Sequence, residues 1–279
     1  MTTTAAVDPS TRPSTGQPNR IAGAFARARE EGRTAMIPFI TVGNPDVATS
    51  EEIAMALIDA GADLLEVAVP FSDPLADGTT VQRSSQVALA NGVRLQDCLD
   101  LVRRLRTRGV TIPLILFGYT NPFYQYGYDR LAADAAEAGV DGFIVPDLPA
   151  EESDDLLTAC RAHGRDLVFL VAPTSTDERL RLVAARAGGF IYCVSLTGVT
   201  GARQDLSAGL PEYLARVRAV TDLPLAVGFG ISTVDHVATV GKHADGAVVA
   251  SALINAVEGL PVAEQPAAAA AFLRGMVPA

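Results

Sequence analysis

A single lysine, Lys242, is present in 279 residues. It lies in Gly241-Lys242-His243, just ahead of the last apolar run and away from the end of a strand where chemistry is expected. A Schiff-base aldolase needs an amine on the catalytic face, so that mechanism is disfavoured. The three histidines, His163, His236 and His243, all fall in helical segments or helix-to-strand turns. A catalytic metal needs about three convergent ligands, so no metal site is expected and a metal-dependent aldolase is disfavoured too. The three cysteines, Cys98, Cys160 and Cys193, show no metal-ligand spacing, and an odd number does not build a disulfide framework. Cys98 shares a helical apolar stripe with Leu95, Leu99, Val102 and Leu105 and reads as a small core residue. This usage fits a reducing, cytoplasmic compartment. No apolar run reaches the roughly 18 residues of a membrane span. Residues 1–18 are rich in Thr, Ser, Pro and Ala, lack the apolar stretch of a signal peptide and read as a disordered tail. Basic charge is also scarce. A net charge of −10 leaves no footprint for nucleic acid, although backbone N–H groups can still hold a small anion locally.

What the chain does have is apolar residues, 49% of the total, in a recurring order. A short apolar run is followed by a turn and then by a segment with helical periodicity. The runs are Met36–Ile40, Leu64–Val69, Pro113–Phe117, Gly142–Val145, Leu167–Val171, Phe190–Val194, Leu223–Val227 and Gly246–Ala250. Between them, Ile53, Leu57 and Ile58 share one helical face, and Leu156, Leu157 and Cys160 another. Nearly continuous apolar runs are expected of parallel strands covered on both sides. Eight such units fit a closed α/β barrel, the (β/α)8 or TIM barrel, better than a doubly wound sheet, and no G-x-G-x-x-G follows the first run. An extra N-terminal helix, Arg20–Glu31, is expected to cover the bottom of the barrel. No internal linker divides the chain, so residues 19–279 read as a single catalytic domain.

In such barrels the chemistry lies at the C-terminal ends of the strands. Alternation along the second run sends Leu64, Glu66 and Ala68 to the interior and Leu65, Val67 and Val69 toward the helices. A carboxylate inside a barrel is costly unless it is paired or functional. Desolvation should raise the Glu66 pKa, which suits proton transfer, and the competing reading is a buried ion pair with an arginine. The loop that follows, Pro70–Gly78, adds Asp73 and Asp77. Asp73 before Pro74 reads as a turn residue, and Asp77 before Gly78 is either functional or a cap for a helix starting near Thr80. Gly228-Phe229-Gly230-Ile231-Ser232 and Ala250-Ser251-Ala252 each end a run and open a helix, at the two places where barrels commonly seat a phosphate. Neither segment holds Lys or Arg, so the grip would be mainly backbone N–H, and tight glycine packing is the alternative. Leu196–Arg203 is glycine-rich and polar, like a lid, or else an ordinary surface loop.

These motifs resemble the alpha subunit family of tryptophan synthase. Pro38-Phe39-Ile40-Thr41-Val42-Gly43-Asn44-Pro45 is similar to its first-strand signature, and Leu65–Gly78, with Pro70-Phe71-Ser72-Asp73-Pro74, to its central motif. Val145-Pro146-Asp147-Leu148-Pro149, Gly198-Val199-Thr200-Gly201 and Val227-Gly228-Phe229-Gly230-Ile231 follow in the family's order. The resemblance spans about residues 20–275. It implies a lyase of tryptophan biosynthesis that cleaves indole-3-glycerol phosphate to indole and glyceraldehyde 3-phosphate. Glu66 matches the general acid–base that protonates the indole ring carbon, and Asp77 the carboxylate that meets the indole N–H. Phe39, Phe117, Tyr119, Tyr192 and Phe229 would line or support the indole pocket. Gly201, Gly230, Ala250 and Ser251 would hold the phosphate, and Thr200 would contact Asp77 on lid closure. Two positions depart from the family. Thr79 stands where proline is usual, and Ala250 where glycine is usual, so its methyl group would crowd the phosphate or, at positive φ, strain the backbone. The resemblance further implies a beta-subunit partner in an alpha2-beta2 heterotetramer, with pyridoxal phosphate in that partner and no cofactor in this chain. A stand-alone lyase releasing free indole would share the same motifs.

Overall fold

The apolar runs form eight parallel strands: β1 (Ala35–Thr41), β2 (Leu65–Ala68), β3 (Leu114–Phe117), β4 (Gly142–Ile144), β5 (Asp166–Val171), β6 (Ile191–Val194), β7 (Leu225–Gly228) and β8 (Gly246–Val249). They pair in sequence order, and β1 pairs with β8, so the sheet closes into a barrel. The computed structural model describes residues 19–195, 209–228 and 230–278; the expected tail, residues 1–18, lies outside them. Around the barrel, in chain order, run α1 (Arg20–Glu30), α2 (Val47–Asp59), α3 (Thr79–Ala90), α4 (Leu95–Thr107), α5 (Thr120–Tyr126), α6 (Tyr128–Ala138), α7 (Asp154–Ala162) and α8 (Asp177–Arg186). They continue with α9 (Leu210–Arg218), α10 (Val234–Gly241), α11 (Ser251–Val257) and α12 (Gln265–Met276). Among the described residues no helix is long and apolar enough to cross a membrane.

The strands follow the expected runs, with ends that move by a residue or two. The largest change is at β7, which starts at Leu225 rather than Leu223. Pro224 has no N–H to give the ladder, and its carbonyl instead accepts from the Ile191 N–H at 2.9 Å. Alternation divides the core as expected. Leu65, Val67 and Val69 pack outward with Leu99, Val102 and Leu105 of α4. Leu64 and Ala68 face the interior, beside Phe39, Ile115, Ile144 and Val168. Cys98 is buried on α4 with Leu95 and Leu99.

The N-terminal helix closes the bottom of this interior. Ile21, Ala24, Phe25 and Ala28 of α1 are buried in the same inner cluster, with the Phe25 and Phe190 rings 5.5 Å apart. The helix starts on Asn19, whose side chain accepts from the Ala22 N–H, and ends one residue before the expected Glu31.

Three aspartates lock the lower rim. Asp63, Asp141 and Asp245 lie just before β2, β4 and β8. Their carboxylates accept the N–H of Met36, Leu114 and Leu225 respectively, each at 2.8 Å, so each ties its own strand to the preceding one. Each also pairs with arginine: Asp63 with Arg33, Asp141 with Arg20 and Arg106, Asp245 with Arg29 and Arg218. Charge-assisted bonds of this kind are stronger than neutral ones. They tie the N-terminal ends of these strand pairs to one another and to the flanking helices.

Candidate active site

Glu66 is the only interior carboxylate that alternation predicts on β2, and it is completely buried, with 0% of its surface exposed. Its strand partners are Phe39 on β1 and Ile115 on β3. Among the described residues neither carboxylate oxygen has a hydrogen-bond partner, so the ion-pair reading of Glu66 finds no arginine to support it. Burial pushes the Glu66 carboxyl well above the usual carboxylate range.

The second carboxylate comes from the loop after β2. Asp77 is half-buried, and burial pushes its pKa up to about 6 against a hydrogen bond from the Tyr119 hydroxyl, which lowers it. It does not cap a helix: α3 starts at Thr79 with Gly78 as N-cap and no side-chain capping bond. Asp73 turns outward, exposed, and accepts from the Ser72 hydroxyl at 2.5 Å.

Tyr119 holds this loop from the end of β3. Its hydroxyl oxygen accepts the Ala76 N–H at 3.1 Å, and the same hydroxyl works to lower the Asp77 pKa. Its ring lies 5.2 Å from that of Phe71. The tyrosine is 3% exposed, and burial beside the Asp77 charge pushes its hydroxyl above the usual range. The resemblance implied that Tyr119 lines or supports the indole pocket; its grip on the loop depends on tertiary contact.

Phe39 and Phe117 meet edge to face at 5.3 Å in the interior. Tyr192, Tyr119, Ile144 and Val168 share that cluster, with Phe71 and Leu170 packed against it. Burial, and then the charges of Glu66 and Asp77, push the Tyr192 hydroxyl well above its usual range, as expected for a ring lying near both carboxylates. Attention to aromatic residues missed Ile144, Val168 and Leu170. Inward alternation on β4 and β5 was the signal available for them. A Cβ at Gly228 would stand 2.0 Å from the Tyr192 hydroxyl oxygen, so this glycine is there for packing. Gly230 is different, because its φ of +78° favours glycine on backbone grounds.

After β8, Ala250 precedes α11, and Ser251 is exposed as its first residue. Ala250 has φ −116°, outside the left-handed region, so its methyl group causes no strain of that kind. Thr79 is the first residue of α3, after Gly78 at φ −72° and ψ 165°. Thr200, Gly201 and Phe229, expected in the lid, phosphate site and pocket, lie outside the described residues. Lys242 follows α10 at the opposite end of the barrel, ahead of β8.

The described part of the site therefore joins an unpaired buried acid, a tyrosine-held carboxylate and an aromatic interior. The family model for the tryptophan synthase alpha chain matches residues 25–275. The alpha chain of Roseiflexus sp. (strain RS-1) is 57% identical over 258 residues, covering 92% of this chain and 99% of that one. That of Chloroflexus aurantiacus is 51% identical over 261 residues, covering 94% and 98%. Among solved structures, tryptophan synthase of Mycobacterium tuberculosis superposes with a TM-score of 0.85 at 38% identity, covering 93% of this chain and 97% of that one. Tryptophan synthase subunit alpha from Legionella pneumophila gives a TM-score of 0.86 at 37% identity, with coverage of 93% and 97%. Fold, motif order and identity along nearly the whole length agree, and the chain belongs to the tryptophan synthase alpha chain family.

Proposed function

We propose that this chain cleaves indole-3-glycerol phosphate into indole and glyceraldehyde 3-phosphate, with Glu66 as general acid–base and Asp77 as the carboxylate facing the indole N–H. The observation that carries the proposal is Glu66: fully buried, without a partner among the described residues, and pushed toward its protonated form. A neutral carboxylic acid can deliver a proton to the ring carbon that bears the glycerol chain. The ring then becomes a cation, and anionic Asp77 stabilises it through the N–H. The carbon–carbon bond breaks, and its electron pair returns to the ring to give indole. Glu66, now a carboxylate, takes the proton of the neighbouring chain hydroxyl, which becomes the aldehyde. Its own proton is thereby restored, and the cycle closes without a cofactor.

Phe39, Phe117, Tyr119, Tyr192 and Phe229 form or support the indole pocket in this reading. Gly201, Gly230, Ala250 and Ser251 take the phosphate through backbone N–H groups, and Thr200 reaches Asp77 when the lid closes. The chain works with a beta subunit that carries pyridoxal phosphate, in an alpha2-beta2 heterotetramer within the cytoplasm. The test is indole release from indole-3-glycerol phosphate by the purified chain, alone and across a titration of beta chain, with the mass of the assembly measured in parallel. Cleavage accelerated by at least about tenfold on adding beta chain supports the subunit reading. Fast cleavage without any acceleration favours a stand-alone lyase, and no cleavage in either case refutes the proposal.

A further inference from the structure

The two ends of the site are each followed by a helix, and those helices are clasped to one another on the outside of the barrel. α3 begins two positions after Asp77, and α11 begins at Ser251. The Thr80 hydroxyl donates to the Asn255 side-chain oxygen at 3.3 Å. One turn further along, Arg83 grips Glu258 through two parallel bonds, Nε to Oε1 at 3.1 Å and Nη2 to Oε2 at 2.7 Å. Glu258 is the residue that ends α11. Between them Val81 and Ile254 are buried in the inner cluster.

The clasp connects directly to the loop. The Gln82 side-chain amide donates to the Asp77 carbonyl at 2.9 Å, and the Gln82 N–H donates to the Gly78 carbonyl at 3.0 Å. The loop backbone at Asp77 thus moves with the first turn of α3. That turn is tied to α11, and α11 starts at the residues assigned to the phosphate. Neither helix has a side-chain cap of its own, so contacts between the two contribute to setting the position of each.

We propose that Arg83 and Glu258 are positioning residues that couple the two ends of the site, so that occupation of the Ala250–Ser251 end sharpens the placement of Asp77 for the indole. This rests on the reading that indole meets Asp77 and phosphate meets Ala250–Ser251. Both side chains are about half-exposed, at 50% and 49%. Such a pair adds little to overall stability. Its bidentate geometry nevertheless fixes direction as well as distance, which is what coupling between two helices requires. The pair therefore acts on the correlation between the two ends, not on the integrity of either.

Fragments test this directly. Indole affinity is measured by calorimetry with and without saturating glycerol phosphate, on the parent, Arg83→Ala, Glu258→Ala and the charge swap Arg83→Glu/Glu258→Arg. Arg104→Ala, which removes the pair that Arg104 makes with Glu51 between α4 and α2, is the control for loss of a surface ion pair. In the parent, glycerol phosphate should tighten indole binding by about three- to fivefold, the upper range for one exposed pair. Arg83→Ala and Glu258→Ala should bring that ratio to about one, with the affinity of each fragment alone unchanged. The charge swap should restore the enhancement, and Arg104→Ala should keep it. With the full substrate, kcat/KM should fall by about the same three- to fivefold in the two single variants. Equal enhancement in the parent and Arg83→Ala, absence of enhancement in the parent, or failure of the swap to restore it would overturn the coupling. A parent that cleaves normally while its variants keep full enhancement overturns the coupling alone. A parent that does not cleave indole-3-glycerol phosphate at all removes the functional reading and the coupling with it.

Discussion

Tyr119→Phe isolates one atom of the site. The substitution keeps the ring, its 5.2 Å contact with Phe71 and its place in the inner cluster. It removes the hydroxyl that favours the Asp77 carboxylate and accepts the Ala76 N–H. Burial already pushes Asp77 up to about 6, and the Tyr119 bond works against that rise. A hydrogen bond to a charged group contributes about 1.5–3 kcal/mol, and one pKa unit corresponds to about 1.4 kcal/mol. Asp77 is half-buried, so solvent screens part of the effect and a rise of about one unit is expected. The sign follows from the role. In the proposed reaction Asp77 must be anionic to stabilise the indole cation, so activity would be present above its pKa and lost as pH falls through it. The parent kcat/KM should therefore fall by about tenfold per pH unit below about 6, and the acid limb of Tyr119→Phe should move to about 7. At pH 8 the two enzymes should differ far less than at pH 6. The assay is indole release under limiting substrate across the pH range. An unchanged midpoint with a uniformly lower rate would refute the assignment of the acid limb to Asp77 held by Tyr119.

Other perturbations follow from the same contacts. Glu66→Gln keeps the size of the side chain but cannot transfer a proton, so cleavage should fall by about 10²–10⁴-fold while ligand affinity survives, and near-normal turnover would end the assignment. Asp141→Ala leaves Arg106, Arg20 and the Leu114 N–H without their shared carboxylate. A loss of about 3 kcal/mol is expected, or about 6–12 °C in Tm by calorimetry, and a change under about 2 °C would show that the lower rim does not depend on it. Thr79→Pro places proline at the first position of α3, behind a residue already extended at ψ 165°. It should stabilise the fold by up to about 1 kcal/mol in urea titration, and destabilisation would mean that the Thr79 N–H has a use in the loop.

The strands and the inner and outer faces of the barrel were legible because they depend on local alternation. Glu66 was legible for the same reason: one charged residue on a two-sided apolar strand needs no tertiary knowledge to stand out. The lower rim was harder to read. Gly61-Ala62-Asp63, Gly139-Val140-Asp141 and Gly164-Arg165-Asp166 share a Gly-x-Asp spacing where a strand begins, and Ala244-Asp245 repeats its end. That short motif is visible in the sequence. Its purpose is not, because the arginines that complete it come from as far away as Arg20 for Asp141 and Arg29 for Asp245. Arg83 and Glu258 are equally far apart in the chain, and each alone reads as a solvated helix residue.

The two carboxylates show what local sequence can and cannot rank. Asp77 lies in a polar loop, which suggests an ordinary carboxylate, yet burial lifts it to about 6 against the lowering effect of Tyr119. Complete burial pushes Glu66 well above the usual carboxylate range, and it has no compensating donor among the described residues. Both shifts have the same first cause, desolvation; Glu66 is completely buried and Asp77 only partly, and Asp77 alone is lowered by a neighbouring hydroxyl. The order of the two pKa values, not either value alone, is what the chemistry needs: near neutral pH one group is the acid and the other is the anion. In this fold Glu66 is buried inside the barrel on β2, while the Tyr119 hydroxyl beyond the end of β3 favours the Asp77 carboxylate in the loop after β2. The acid–base division between Glu66 and Asp77 is therefore a property of the closed barrel, which brings those two strands together, more than of the motif that contains both residues.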